Sequence, residues 1–225
     1  MGALGQHHAR IYSELQKAGK IEFTGLYDAN AERANEISKQ HDIPVLSSPE
    51  AVLSSAEAVS IVTPTTTHFE LASLALEAGL HVLVEKPMTE DASQATKLVQ
   101  LAQENNCVLQ VGHVERFNPV FNYLQSVATQ PRFIETHRLS PYPKRSMDIG
   151  VVLDLMIHDL DIVLAFVNSP IKDVDGVGVP VLSESEDIAN ARIKFENGCV
   201  ANLTASRVSP ERMRKIRVFS GGEST

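Results

Sequence analysis

Two short clusters in this 225-residue sequence bring together side chains able to move a proton and steady a negative oxygen. The first is Glu85-Lys86-Pro87, directly after the apolar run 81–84, where a lysine leaving a strand end projects toward whatever binds at that end of a sheet. A solvated surface lysine is the plainer reading of Lys86. The second is Asp154-Leu155-Met156-Ile157-His158, whose i, i+4 spacing sets a carboxylate and an imidazole on one helical face, with Leu153, Ile157 and Leu160 expected on another, apolar side. His158 has the ordinary pKa nearest neutrality, so it is the first choice for a base that takes a hydroxyl proton, with Asp154 orienting it or binding a neighbouring hydroxyl. Lys86 is the other candidate base or, as a cation, the group that stabilises an alkoxide.

A third cluster suits a diphosphate. Gly2-Ala3-Leu4-Gly5 runs straight into a helix-periodic segment, and the first backbone N–H groups of such a helix attract anions. Only the last two glycines of a G-x-G-x-x-G fingerprint stand here, so the context has to carry the reading. Asp28 ends the apolar run 21–27, near the spacing of about 20 residues expected of a carboxylate that holds an adenosine ribose. Its alternative role is to cap a helix starting near Ala31. Ala29 and Asn30 offer no cation for a 2′-phosphate, which favours NAD over NADP. Thr63, Pro64, Thr66 and His68 lie in a hydroxyl-rich stretch at another strand end and are candidates for ribose or diphosphate contacts, while Thr66 or Thr67 could equally cap the helix that follows.

These residues need elements to place them, and the hydrophobic period supplies a scheme. Apolar runs at 21–27, 58–62, 81–84 and 108–111 read as doubly buried strands, and helical periods at 9–18, 31–40, 68–78 and 93–105 alternate with them. Gly79 and Asn106 read as helix stops. That is the pattern of a Rossmann-like, doubly wound parallel sheet over residues 1–119, with its first strand missing. Beyond Pro119, residues 120–225 read as an α+β domain: helices at 120–128 and 150–167, then strands at 133–137, 171–181, 189–196, 200–206 and 215–219 in a mixed or antiparallel sheet. Glu196-Asn197-Gly198 supplies a hairpin turn. The sheet is expected to rest one face on helix 150–167 and to leave the other, with Val177, Val179 and Val181, for a second subunit.

Composition narrows the partners. A net charge of -8 disfavours a nucleic-acid backbone, and no apolar run is long enough for a membrane span or a signal peptide. Cys107 and Cys199 form no C-x-x-C pair, and the clustering of His158, Asp159 and Asp161 lacks the spacing of a helical zinc site, so a cytoplasmic protein without a resident metal is expected.

Taken in order, the glycine remnant, Asp28, Glu85-Lys86-Pro87 and the D-x-x-x-H of Asp154 and His158 resemble the glucose-fructose oxidoreductase and inositol dehydrogenase (Gfo/Idh/MocA) family along essentially the whole chain. The segment from Val111 to Pro119, Val-Gly-His-Val-Glu-Arg-Phe-Asn-Pro, looks most like the branch that oxidises C3 of UDP-N-acetylglucosamine or its uronic acid relatives. The resemblance implies an NAD-dependent sugar dehydrogenase, a homodimer or homotetramer, with Lys86, Arg116, Asn118, Asp154 and His158 toward substrate and Glu85 and Lys86 toward cofactor. Arg116, Arg138, Lys144 and Arg145 are cations able to meet a diphosphate, or else a solvated face. Against the family pattern the first strand is absent and the chain stops early in the second domain, so a sequence cut at both ends and impaired in activity is expected. The competing reading is a non-catalytic dinucleotide- or sugar-binding regulator, which would have no reason to keep Lys86, Asp154 and His158 together.

Overall fold

The computed structural model describes residues 2–142 and 149–221, so Lys144 and Arg145 lie outside the described residues. The chain divides into two compact units, 1–112 and 113–225, each with its own sheet.

In the first unit the helices are Gly5–Lys17 (α1), Ala31–His41 (α2), Pro49–Ser55 (α3), His68–Glu77 (α4) and Ala92–Glu104 (α5). Three strands, Ala58–Ile61 (β1), His81–Val84 (β2) and Leu109–Val111 (β3), lie parallel in that order. Side chains start the helices where the backbone leaves N–H groups unmet: Asn30 caps α2, Ser48 caps α3 and Asp91 caps α5. Gly79 and Asn106 have left-handed backbones beyond the ends of α4 and α5. Helix α3 escaped the periodicity, although Ser48-Pro49 is an ordinary start signal. Ile61, Val82 and Val84 pack against Ala72, Ala75, Leu76, Leu98 and Ala102, which fixes β2 in the middle of the unit.

Residues 21–27 depart from the expected doubly buried strand. Ile21 and Tyr27 are 40% and 39% exposed, and among the described residues the segment pairs only through one bridge from Leu26 to Val45, made by Leu26 N–H on the Pro44 carbonyl and Leu46 N–H on the Leu26 carbonyl. β-branched and aromatic residues favour a strand only where a neighbour offers a ladder, and among the described residues just 44–46 runs beside this segment.

The second unit holds helices Pro119–Val127 (α6) and Ile157–Val167 (α7) and strands Pro131–Leu139 (β4), Ile171–Val179 (β5), Ile188–Phe195 (β6), Val200–Ser206 (β7) and Met213–Ser220 (β8). The sheet order is β5-β6-β7-β4-β8, parallel only between β4 and β7. Pro119, where a boundary was expected, is instead the first residue of α6 under an Asn118 cap, and the break falls at Gly112 and His113. The hairpin turn is a three-residue loop with Gly198 left-handed, not a two-residue Asn-Gly turn.

Stretch 150–167 is not one α-helix. Val152–Met156 forms a π-turn before α7, and Glu186 takes the N–H groups of Val151 on its carbonyl and of Val152 on its carboxylate. A π-turn carries more residues per revolution than the 3.6 of an α-helix, so the buried face shifts. Val152, Leu155, Met156, Leu160, Val163 and Val167 meet the core, whereas Leu153 and Ile157 lie outside it. Opposite them Ile134, Ala189, Ile193, Phe195, Ala201, Leu203 and Ala205 form the sheet's inner face. The outer face is polar in its middle: Arg192 donates to Asn202, Asn190 to Thr204 and Lys194 to Asp173. Val177 and Val179 are exposed on edge strand β5, while Val181 lies beyond it, past Pro180, in a loop.

That loop is closed by a fully buried ion pair. Arg207 Nε lies 2.8 Å from Asp187 Oδ1, and Arg207 also donates to the Ile149 carbonyl and to Ser183 and Ser185. Asp187 Oδ2 in turn accepts the N–H groups of Val181, Leu182 and Ser183. The start of the segment bearing Asp154 and His158 is thereby tied to β7 and to loop 180–187.

Candidate active site

In the first unit Thr63, Pro64, Thr66, Glu85 and Lys86 follow the carboxyl ends of the parallel strands β1 and β2, where such sheets bind ligands. Glu85 N–H donates to the Ile61 carbonyl and Gly112 N–H to the Val84 carbonyl, so the strand end that carries Lys86 is held from both neighbours. Thr63, Pro64 and Thr66 are exposed beside it. Neither Thr66 nor Thr67 caps α4; Thr67 Oγ1 bonds instead to Thr63 Oγ1 and the Pro64 carbonyl. His68 is turned inward and 1% exposed, with Nδ1 2.8 Å from the Pro87 carbonyl oxygen and Nε2 3.0 Å from that of Thr63. It is therefore a fastener of these two loops and not an open cofactor contact.

Helix α1 has no side-chain cap, and Gly2, Ala3 and Leu4 before it are exposed. A β-carbon on Gly2 would meet nothing within 4 Å among the described residues. Asp28 is half-buried and its Oδ1 accepts the Asn30 N–H, while the capping of α2 falls to Asn30. Gly5 is buried where α1 begins its packing. The chain thus offers N–H donors for a diphosphate and a carboxylate for a ribose, which fits a dinucleotide.

The second unit holds Asp154 in the π-turn and His158 in the first turn of α7, both half-buried. Around them lies an ionic network that residue spacing alone did not reveal. Arg138, 6% exposed, sets Nε and Nη2 on Asp159 Oδ1 at 3.0 and 2.7 Å and Nη1 on Glu115 at 3.3 Å. Burial alone would push the Glu115 carboxyl up, but the Asn118 amide, the Arg138 guanidinium and nearby His158 bring it below the ordinary range. Arg116 makes three bonds to Asp161. The reading of Arg138 as a diphosphate cation or a solvated residue is corrected accordingly, since it is a buried structural cation, whereas Arg116 is paired with Asp161 and keeps half its side chain exposed. Asn118 caps α6 through Oδ1 and donates Nδ2 to Glu115. The ion pairing of Glu115, Asp159 and Asp161 was not legible because their partners stand on other elements, 21 to 45 positions away.

The first unit has the architecture of a Rossmann dinucleotide-binding domain, and the second is an α+β unit that carries Asp154 and His158 on successive helical turns. Comparison with known proteins agrees: residues 1–113 match the oxidoreductase family with an NAD-binding Rossmann fold and residues 123–221 the GFO/IDH/MocA C-terminal domain. The chain belongs to the Gfo/Idh/MocA oxidoreductase family. It is 43% identical over 220 residues to UDP-N-acetylglucosamine 3-dehydrogenase of Acidithiobacillus ferrooxidans, covering 97% of this chain and 69% of that protein. It is 28% identical to the scyllo-inositol 2-dehydrogenase (NAD(+)) of Bacillus subtilis, over 93% of this chain and 66% of the relative, so it spans about two thirds of each. A solved structure of the Acidithiobacillus enzyme superposes with a TM-score of 0.89 over 97% of this chain and 71% of that one. The NAD complex of GenD2 from gentamicin A biosynthesis shares the fold at 19% identity and a TM-score of 0.88, over 97% and 67% of the two chains.

Proposed function

We propose that this chain serves an NAD-dependent sugar dehydrogenase whose substrate is a UDP-N-acetylhexosamine oxidised at C3. The observation that carries the proposal is the placement of Lys86 just past the end of the central strand β2 in a family member that also keeps Asp154, in the π-turn, and His158, in the first turn of α7. The likeness to the Acidithiobacillus enzyme supports the nucleotide sugar. Bound NAD supplies the acceptor for the hydride leaving the carbinol carbon. The N–H groups after Gly2 hold its diphosphate, Asp28 its adenosine ribose, and Thr63, Pro64 and Thr66 line its path.

The protein's own steps are proton steps. His158 accepts the hydroxyl proton as the C–H bond breaks, and the Lys86 ammonium holds its own positive charge beside the oxygen, so that the negative, alkoxide character of the transition state is stabilised. Asp154 orients the imidazole or a neighbouring hydroxyl. Arg116, with its exposed flank, contacts the substrate's phosphates. We further assign a cytoplasmic enzyme that assembles as a dimer or tetramer through the open face of the second unit's sheet. Among the described residues no helix is long and apolar enough to cross a membrane.

Single-turnover NADH formation from UDP-N-acetylglucosamine tests the assignment. His158→Asn is expected to slow it by about 10² to 10⁴ with NAD affinity nearly unchanged. Should His158→Asn keep the wild-type rate while Lys86→Met abolishes it, Lys86 takes the proton instead. Full activity in both variants would place the site elsewhere.

A further inference from the structure

Lys86 is bracketed by two histidines from two different helices. On its amino side Glu85 turns inward, 7% exposed, and Oε1 lies 2.9 Å from Nε2 of His8 on α1. The other ring nitrogen of His8 lies 3.4 Å from Ser60 Oγ, which meets the Tyr12 hydroxyl at 2.5 Å. Glu85 Oε2 accepts the backbone N–H of Lys86 at 3.3 Å. On the carboxyl side, the carbonyl of Pro87 faces Nδ1 of His68 on α4.

The fit around Glu85 is tight. A β-carbon on Gly112 would stand 2.8 Å from the Glu85 carboxyl carbon and both its oxygens, so the glycine leaves the space that the carboxylate fills. Burial pushes this carboxyl up, yet the hydrogen bond and charge of His8, with Lys86 beside it, bring it below the ordinary range. A carboxylate packed and bonded in this way is committed to the scaffold around the lysine, in contrast to the cofactor contact expected from the sequence.

We propose that His8 and His68 are positioning residues for Lys86. His8, acting through Glu85, ties the helix that starts at the cofactor's diphosphate to the strand end that carries the lysine; His68 fixes the residue after it. Cofactor binding and the placement of Lys86 are then coupled. The inference rests on the dehydrogenase reading above.

The test is a double-mutant cycle on the full chain with His8→Ala, Glu85→Ala and both together. NAD is titrated by calorimetry, urea unfolding is followed in parallel, and NADH formation from UDP-N-acetylglucosamine is followed in single turnover. Each single variant is expected to weaken NAD binding about tenfold, as for loss of a hydrogen bond to a charged group, and the double variant no further than either single one. Additive losses, or wild-type affinity in the single variants, overturn the pairing. Coupling seen in urea unfolding but not in NAD affinity marks a scaffold contact only and overturns the positioning role. His8→Gln sets an amide N–H near the place of Nε2 and His8→Asn near that of Nδ1, so only Gln is expected to preserve affinity and turnover. Equal behaviour of these two overturns the proposal, and the comparison stands even where His8→Ala does not fold. His68→Ala is expected to lower the single-turnover rate more than NAD affinity; an unchanged rate removes His68 from the bracket. A non-additive cycle in a chain that binds NAD but forms no NADH from the sugar would overturn the substrate reading and leave the bracket standing. Turnover with an additive cycle has the reverse meaning.

Discussion

Asp28 carries the cofactor reading at the level of single residues, because a carboxylate that holds two ribose hydroxyls distinguishes NAD from a cofactor bearing a 2′-phosphate. Asp28→Ala is expected to weaken NAD binding by about 1.5 to 3 kcal/mol, the range for hydrogen bonds to a charged group, and isothermal titration measures it. NADP is expected to bind the wild type more weakly than NAD, and Asp28→Ala to narrow the gap, since the anion that repels the extra phosphate is gone. Lys86, Asp154 and His158 could be singled out as candidates because each stands in a short sequence motif that resembles one of the family's. Glu115 and His8 were not. Their partners, Arg138 and Glu85, are reached only when separate elements meet, and a sequence period records nothing about such meetings.

Elements with a one-dimensional signal were read well. β2 and β7 fall where the apolar runs lie, and helices α2, α4 and α5 match their periods to within a residue or so at each end. Segment 21–27 and the π-turn failed for different reasons. The former has strand-forming residues without a ladder, and the latter depends on Glu186, which reaches the backbone of Val151 and Val152 from loop 180–187. The same loop makes a stability prediction. Burial raises the Asp187 carboxyl, but Arg207 and the N–H groups of Leu182 and Val181 hold it far below the usual carboxylate range. A depressed folded-state pKa stabilises the fold above the unfolded value of about 4, and that contribution shrinks as pH falls below it. Urea midpoints of the wild type are therefore expected to drop steeply below about pH 4. Asp187→Asn leaves a buried guanidinium without its counter-charge and is expected to cost about 3 to 5 kcal/mol at neutral pH while flattening that acid limb. An unchanged midpoint at neutral pH would show the pair to be dispensable.

At the scale of the whole molecule, two compact units with separate cores are expected to give more than one calorimetric transition in the absence of cofactor, so one melting temperature will not describe the chain. Assembly through the outer face of the β5-β6-β7-β4-β8 sheet would have to cover polar side chains already paired within that sheet, which favours an interface with many hydrogen bonds over an oily one. Multi-angle light scattering at micromolar concentration is expected to report dimers or tetramers, and monomers alone would remove that surface from consideration. The Arg207–Asp187 pair also has a meaning in time. It joins residues from the end of β7, from loop 180–187 and, through the Ile149 carbonyl, from the chain just before the π-turn. Two charges must lose their water before this contact gains anything, and three distant stretches must already be in place, so the pair belongs on the native side of the folding barrier. Asp187→Asn should then leave the refolding rate almost untouched and speed unfolding by nearly the full equilibrium loss, which makes this buried pair a brake on opening the unit that carries His158.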